Sequence, residues 1–344
     1  MWGPLSLLRK PWPSCPVYCL SSLTITEIGF KSQPHCREAP CQCLSSLIIM
    51  EIGFKSQPFC RGFMLVRFTY KEIKRATDGF SRIIGSDSGG AAYKAQFPDG
   101  LVGVVKKVRV LAPESDAFHR DLQFLARLHH RHLVGLRGFS EEHDRFLVFD
   151  YMENGSLREI IHDPLRTPLT WRARLQIATD VAASLEYLCL FCDPPPCNLT
   201  VSAENILLDG NSVAKLSTFG SMSFDGQVRE PSDEEDLKGV SGRGDDQILF
   251  QFGALILELV TGQSFGSQGA DLLRWIQRAD FSHSMNQMVD SDLGNAYDSS
   301  ELKSLLFVAR LCIKTGGRGP PSFSISHVLR FLQSKVNGAD SREM

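Results

Sequence analysis

Apolar side chains recur at Phe118, Leu122, Leu125 and Leu128 in the stretch "DAFHRDLQFLARLHH", the spacing of a helix that buries one face. Shorter apolar runs flank it. "AAYKAQF" and "LVGVVKKVRV" are separated by Pro98-Asp99-Gly100, which predicts a β-hairpin. "FLVFDYM" predicts a buried strand, and Asn154-Gly155 marks a turn just beyond it. Upstream, "RFTYKEIKRATDGFS" predicts a charged helix with Thr69 as N-cap and Glu72 at capping-box spacing. Downstream the period becomes helical almost throughout, in "WRARLQIATDVAASLEYL", "ILFQFGALILELVTG", "LKSLLFVARLCI" and "ISHVLRFLQSKV". Strands first and helices afterwards predict an α+β protein of two unlike lobes.

Two segments fall outside this pattern. "CLSSLTITEIGFKSQPHC" from Cys19 returns as "CLSSLIIMEIGFKSQPFC" from Cys43, a duplication with too few copies for a solenoid and little expected stable structure. Residues 221 to 247, "SMSFDGQVREPSDEEDLKGVSGRGDDQ", are polar and acidic and are expected to form a mobile loop. The serine and carboxylates of "EPSDEED" read as a solvated surface rather than as a phosphorylation site. The organisation expected is therefore 1–66 poorly ordered, 67–81 a helical lead-in, 82–152 a small β-rich lobe, 153–336 a helical lobe and 337–344 a tail.

Composition narrows the picture. The chain has 344 residues, 43% hydrophobic and 22% charged, with a formal net charge of -2. That length sustains two lobes with cores, and the near-neutral balance argues against nucleic acid as a partner. No apolar run approaches the ~20 residues that span a bilayer, so the expectation is a cytoplasmic protein without a span. Six of ten cysteines precede residue 61, but without a leader the compartment expected is reducing. Cys189-x-x-Cys192 lacks a second pair or a histidine at zinc spacing and reads as two thiols packed inside.

"RFTYKEIKRATDGFS", "YKAQFPDG", "ARLHHRHLVGLRGF", "FLVFDYMENGSL", "NILLD" and "FGALILELVTG" occur in an order that resembles the intracellular domain of plant receptor-like protein kinases, from about Arg67 to Val336. The resemblance implies a kinase-like bilobal fold with an ATP cleft between the lobes. Each part of that cleft is weighed separately, because a fold does not establish an activity. The family's phosphate-loop glycines fall on Gly85, Asp87 and Gly90. Glycine serves there because backbone approaches phosphate closely. Asp87 instead brings a charge of the wrong sign, about 4 kcal/mol of repulsion per unit-charge pair at about 4 Å and an effective dielectric near 20. Lys106 stands where the family holds the phosphates, and its helix partner falls on Asp121, one methylene shorter than the usual glutamate. Phe149 would be the gatekeeper, Asp150, Tyr151 and Met152 the hinge, and Ala92 and Val104 the apolar cover of an adenine.

The chemistry departs most in "CNLTVSAENILLD". With Asn205 as anchor, the family's His-Arg-Asp lands on Asn198, Leu199 and Thr200, and its catalytic-loop lysine on Ser202. Phosphoryl transfer to a hydroxyl needs a carboxylate to orient the acceptor and take its proton; Thr200 offers none. In "KLSTFGSMS" the metal-binding aspartate is replaced by Thr218, a poor ligand for magnesium. Asn205, the second metal ligand, survives. Paired structural charges vanish together: the activation segment lacks its closing Pro-Glu, whose arginine partner falls on Pro320, and the aspartate that begins the next core helix falls on Ile248. Losing both members of a buried pair leaves no stranded charge.

The expectation is a pseudokinase that scaffolds or regulates phosphorylation signalling, with no catalytic residue, no required cofactor and at most weak, metal-independent ATP binding through Gly85, Gly90, Lys106, Asp121, Asp150, Met152 and Asn205. Its expected partner is a protein, an active kinase or receptor complex that recruits it to the inner face of the plasma membrane. The alternative is a slow Ser/Thr kinase that transfers phosphate from ATP through Lys106 and Asn205.

Overall fold

The computed structural model describes residues 65–87, 90–108, 117–192, 199–218, 244–318 and 323–340. The duplicated segment, most of the acidic stretch, Asn198 and Pro320 lie outside them. The described part begins with strand β1 (Val66–Arg67) and helix α1 (Tyr70–Ala76), then β2 (Ile83–Asp87), β3 (Gly90–Gln96), β4 (Val102–Val108), α2 (Ala117–Arg127), β5 (Leu136–Ser140) and β6 (Arg145–Asp150). These strands make one sheet in the order β1-β5-β6-β4-β3-β2, antiparallel except for the β1–β5 pair. The expected capping box starts α1: the Thr69 hydroxyl accepts from Glu72 N, and a Glu72 oxygen accepts from Thr69 N at 2.8 Å. Because β1 pairs with β5 and Ile73 and Ala76 of α1 are buried against the sheet, the lead-in is part of the small lobe.

Strict alternation divides the sheet's residues between two cores. Val105, Phe146 and Val148 pack on α1 with Phe68, Ile73, Ala95 and Phe97. Their neighbours Leu147 and Phe149, with Val108, face α2 and the second lobe, where Phe118, Leu122, Leu125 and Leu128 project from the helix at the predicted spacing. The hairpin between β3 and β4 turns as the sequence predicts, with Gly100 at φ +89° and Phe97 N donating to Leu101 O at 2.8 Å.

The second lobe contains β7 (Gly155–Ser156), α3 (Leu157–His162), α4 (Trp171–Leu190), β8 (Ile206–Leu208), β9 (Ala214–Leu216), α5 (Gly244–Thr261), α6 (Phe265–Gln277), α7 (Met285–Met288), α8 (Ser299–Arg318) and α9 (Ile325–Asp340). α9 continues past residue 336, so the helical lobe reaches to Asp340. α5 is the central pillar: Phe252, Leu255, Ile256, Leu257, Leu259 and Val260 are all buried. Gly253 is required there, since a Cβ would lie 2.9 Å from both Ala309 O and the Cys312 side chain on α8. Burial pushes the Cys312 thiol up to about 12, so it is an inert packing group. β7, β8 and β9 form a small antiparallel sheet against α4, and that sheet carries the residues of the cleft.

Candidate functional site

The β2–β3 hairpin is the cleft's upper edge. Gly85 pairs with Ala92 and Asp87 with Gly90, so these residues form an ordinary antiparallel ladder. Gly90 has φ +138°, and a Cβ there would fall 1.9 Å from Lys107 O on β4. Close approach of two strands therefore accounts for this glycine without any phosphate. Gly85 has open space where its Cβ would be.

Lys106 sits mid-strand in β4, opposite Ala92 on one side and Leu147 on the other, and is half-buried. It shares a strand face with Val104 and Val108, which belong to the core of the second lobe's side. Lys107 points the other way, as alternation demands, and its Nζ lies 2.9 Å from Asp144 Oδ2. Asp121 is half-buried on α2, with its Oδ2 shielded from water.

The hinge is occupied by its own contacts. Asp150 forms an ion pair with Arg137 on β5, and its backbone N donates to Gly135 O at 3.0 Å. A side chain at Gly135 would meet the Asp150 carboxylate at 2.7 Å, so the glycine makes room for that pair. Lys94 Nζ lies 4.1 Å from the centre of the Tyr151 ring, a cation–π contact from β3 to the hinge. Sequence reasoning passed over Lys94 and Arg137. The alternation that puts Ala92 on the cleft face of β3 also puts Lys94 there, so the first was within reach; Arg137 carries no such signal. Met152 and Phe149 are buried.

Below the hinge, the loop before β8 is fastened by every second residue. Leu199, Val201 and Ala203 are buried, Thr200 and Glu204 are exposed, and Ser202 is half-buried. Asn205 Nδ2 donates to Thr200 O at 3.3 Å, closing the loop on itself. Val201 N donates to Gln251 Oε1 of α5 at 2.9 Å. Gln251 thus anchors the loop from the core helix, while Ile248, at the position expected for an aspartate, is simply buried. A neutral amide does this work one helical turn further along, a substitution invisible to any motif fixed at Ile248.

Thr218 is 3% exposed. Its approach is rigid: Leu216 N donates to His132 O at 2.9 Å, Val134 N donates to Leu216 O at 3.1 Å, and Ser217 N donates to Asn205 O at 2.8 Å. Two carboxylates beside β8 have local partners. Glu204 pairs with Arg158 of α3, and Asp209 Oδ1 accepts from Asn211 N and Val213 N in the β8–β9 turn. Among the described residues, no three His, Cys, Asp or Glu side chains come together as a metal site. The arrangement puts Ala92, Val104 and Lys106 on one face of the sheet. It offers neither a carboxylate base at Thr200 nor a carboxylate ligand at Thr218.

Behind the cleft, the "HHRH" stretch is structural. His132 Nδ1 lies 3.1 Å from Ala214 O and its Nε2 3.5 Å from Asp180 Oδ1, while Asp180 also accepts from Gln176 Nε2 at 2.7 Å and Ala214 N at 3.3 Å. His130 stacks on Tyr187 with ring centres 5.1 Å apart. Burial holds both imidazoles below their ordinary value, more strongly than Asp180 raises that of His132, and burial raises the Asp180 carboxyl. Cys189 and Cys192 are half-buried, with the Cys192 thiol raised by burial.

Residues 80–237 match the family model "Protein tyrosine and serine/threonine kinase". Among curated proteins, the chain is 39% identical over 285 residues to "Probable receptor-like protein kinase At1g49730" of Arabidopsis thaliana, covering 77% of this chain and 43% of the relative. It is 30% identical over 307 residues to "Proline-rich receptor-like protein kinase PERK1" of the same plant, covering 82% and 46%. The chain thus spans less than half the length of each. Among solved structures, the apo GRMZM2G135359 pseudokinase superposes with a TM-score of 0.65 at 21% identity, over 83% of this chain and 99% of that one. The pseudokinase domain of BIR2, an immune regulator of the RLK/Pelle family, gives 0.61 at 24% identity, over 77% and 83%. At these identities the structural likeness speaks for the fold. No single helix among the described residues is long and apolar enough to cross a membrane.

Proposed function

The chain carries a protein-kinase domain related to those of plant receptor-like kinases, and from that premise we propose that it is a pseudokinase, a scaffold or allosteric partner in phosphorylation signalling. The observation that carries this reading is Thr218: a neutral hydroxyl, buried and held by three backbone hydrogen bonds on the strand leading to it, where a magnesium ligand is needed. Thr200, exposed at the position of the base, supports it. Positioned proton transfer is worth about 10²–10⁴-fold in rate, and the loss of the metal ligand and of the loop lysine at Ser202 adds to that deficit.

What remains is suited to binding. The weak, metal-independent ATP binding we propose would use Lys106, Met152, Ala92 and Val104, with the Gly85 and Gly90 backbone and Asn205. The Arg137–Asp150 and Lys94–Tyr151 contacts brace the hinge. A loop that has lost its base yet is still pinned by Gln251 and Asn205 fits a protein kept for its shape. Neighbours described as pseudokinases, one of them an immune regulator, are consistent with an active kinase or receptor complex as the partner, acting at the inner face of the plasma membrane.

The test is transfer of radiolabelled phosphate from ATP by purified protein to itself and to a generic substrate. The expected rate is background for the natural chain and for Lys106→Ala alike. Turnover above background that Lys106→Ala abolishes would establish the slow Ser/Thr kinase instead.

A further inference from the structure

The solvent side of α8 is built the wrong way round for a helix facing water. At 100° per residue, Ser300, Lys303, Phe307, Leu311 and Lys314 fall on one arc, and all five are exposed. Phe307 occupies the middle of that arc, 44% exposed, and Leu311 follows one turn later, 48% exposed. The opposite arc, with Leu302, Leu305, Leu306, Ala309, Cys312 and Ile313, is buried against the core, so the helix does not need the outer pair for its own packing. The apolar centre is also held in place. The Phe307 ring meets Phe281 edge-on at 5.2 Å, and the Arg310 guanidinium lies 4.9 Å from the Phe281 ring while donating to Gln277 O at 3.2 Å.

The charges that α8 itself places beside this stripe are positive, and Arg278 and Asp280, just before the adjoining Phe281, pair with each other. Lys303, Arg310 and Lys314 border the stripe, and Glu301, the helix's one carboxylate, accepts from Trp171 Nε1 at 3.0 Å. This argues against a second copy of the chain as the occupant. Two such helices crossing antiparallel about Phe307 and Leu311 would place Lys303 of each copy near Lys314 of the other.

We infer that Phe307 and Leu311 form the docking surface for an acidic amphipathic helix of a partner protein, whose apolar side chains cover the pair and whose carboxylates meet Lys303 and Lys314. The inference deepens the docking role proposed above and rests on it. The surface lies on a helix remote in sequence from the hinge, the loop and Thr218, so its test needs no nucleotide.

The probe is a fluorescent synthetic helical peptide with leucines at i, i+4 and i+7 flanked by glutamates, titrated with the full chain. Its counterpart has every glutamate replaced by lysine. The acidic peptide is expected to bind in a salt-sensitive manner, and the basic one at least about tenfold more weakly. Leu311→Ser and the double variant Lys303→Glu/Lys314→Glu are each expected to weaken the acidic peptide by at least about tenfold. Both change exposed side chains, and an unaltered thermal melt would show that the fold is intact. Equal binding of the two peptides, binding of neither, or self-association that Leu311→Ser abolishes would overturn the inference. Phosphate transfer in the separate assay would instead bear on the cleft and leave these binding results as they stand.

Discussion

Thr218 and Gln251 are opposite cases of one side chain set in a fixed surround. Thr218 lies in a site walled off from water, with its preceding strand clamped between His132, Val134 and Asn205. Replacing Thr218 by the family's residue, Thr218→Asp, would put a carboxylate where the side chain is almost wholly buried. We expect a loss of roughly 3 kcal/mol in a denaturant melt, and no gain of phosphate transfer, because Thr200 and Ser202 remain. Gln251 is the reverse case, a residue outside every catalytic motif that fixes the loop through Val201 N. Gln251→Ala strands that donor and is expected to cost about 1–3 kcal/mol; Gln251→Glu keeps an acceptor and is expected to cost less in the same melt.

At the scale of elements, the β2–β3 hairpin and the α2–β5 connection are each held by packing. Gly90 is fixed by β4, and Gly90→Ala is expected to lower stability by about 2 kcal/mol or more, with or without nucleotide, because the clash is with backbone. His130 and His132 hold the α2–β5 connection to α4 and to the strand before Thr218. Their folded-state pKa values are depressed below the ordinary 6.5, so between the folded and unfolded values the unfolded chain carries more protons. Stability therefore rises with pH through that window and is fully present above about 6.5. Asp180, raised above 3.8, works in the opposite sense, beginning at lower pH. Thermal melts near pH 5.5 and pH 7 are expected to show the lower Tm in acid, with a smaller difference in His132→Asn, whose amide can still donate to Ala214 O.

Across the whole molecule, the two lobes were legible because burial follows local rules: alternation split Val105 from Lys106 and Phe146 from Leu147, and Thr69 with Glu72 marked a helix start. Thr200, Ser202 and Thr218 stand out in the sequence for a similar reason, since each is an identity within a contiguous motif. What the sequence withheld were contacts between distant segments: Arg137 with Asp150, Lys94 with Tyr151, Arg158 with Glu204 and Gln251 with Val201. None has a fixed spacing, and each depends on how loops close once the cores have formed. These contacts occupy polar groups around the cleft. The most direct measurement is the thermal shift of the full chain with ATP, with and without magnesium. The account predicts a small shift or none, unchanged by the metal; a rise in Tm that requires magnesium and disappears in Lys106→Ala would contradict it.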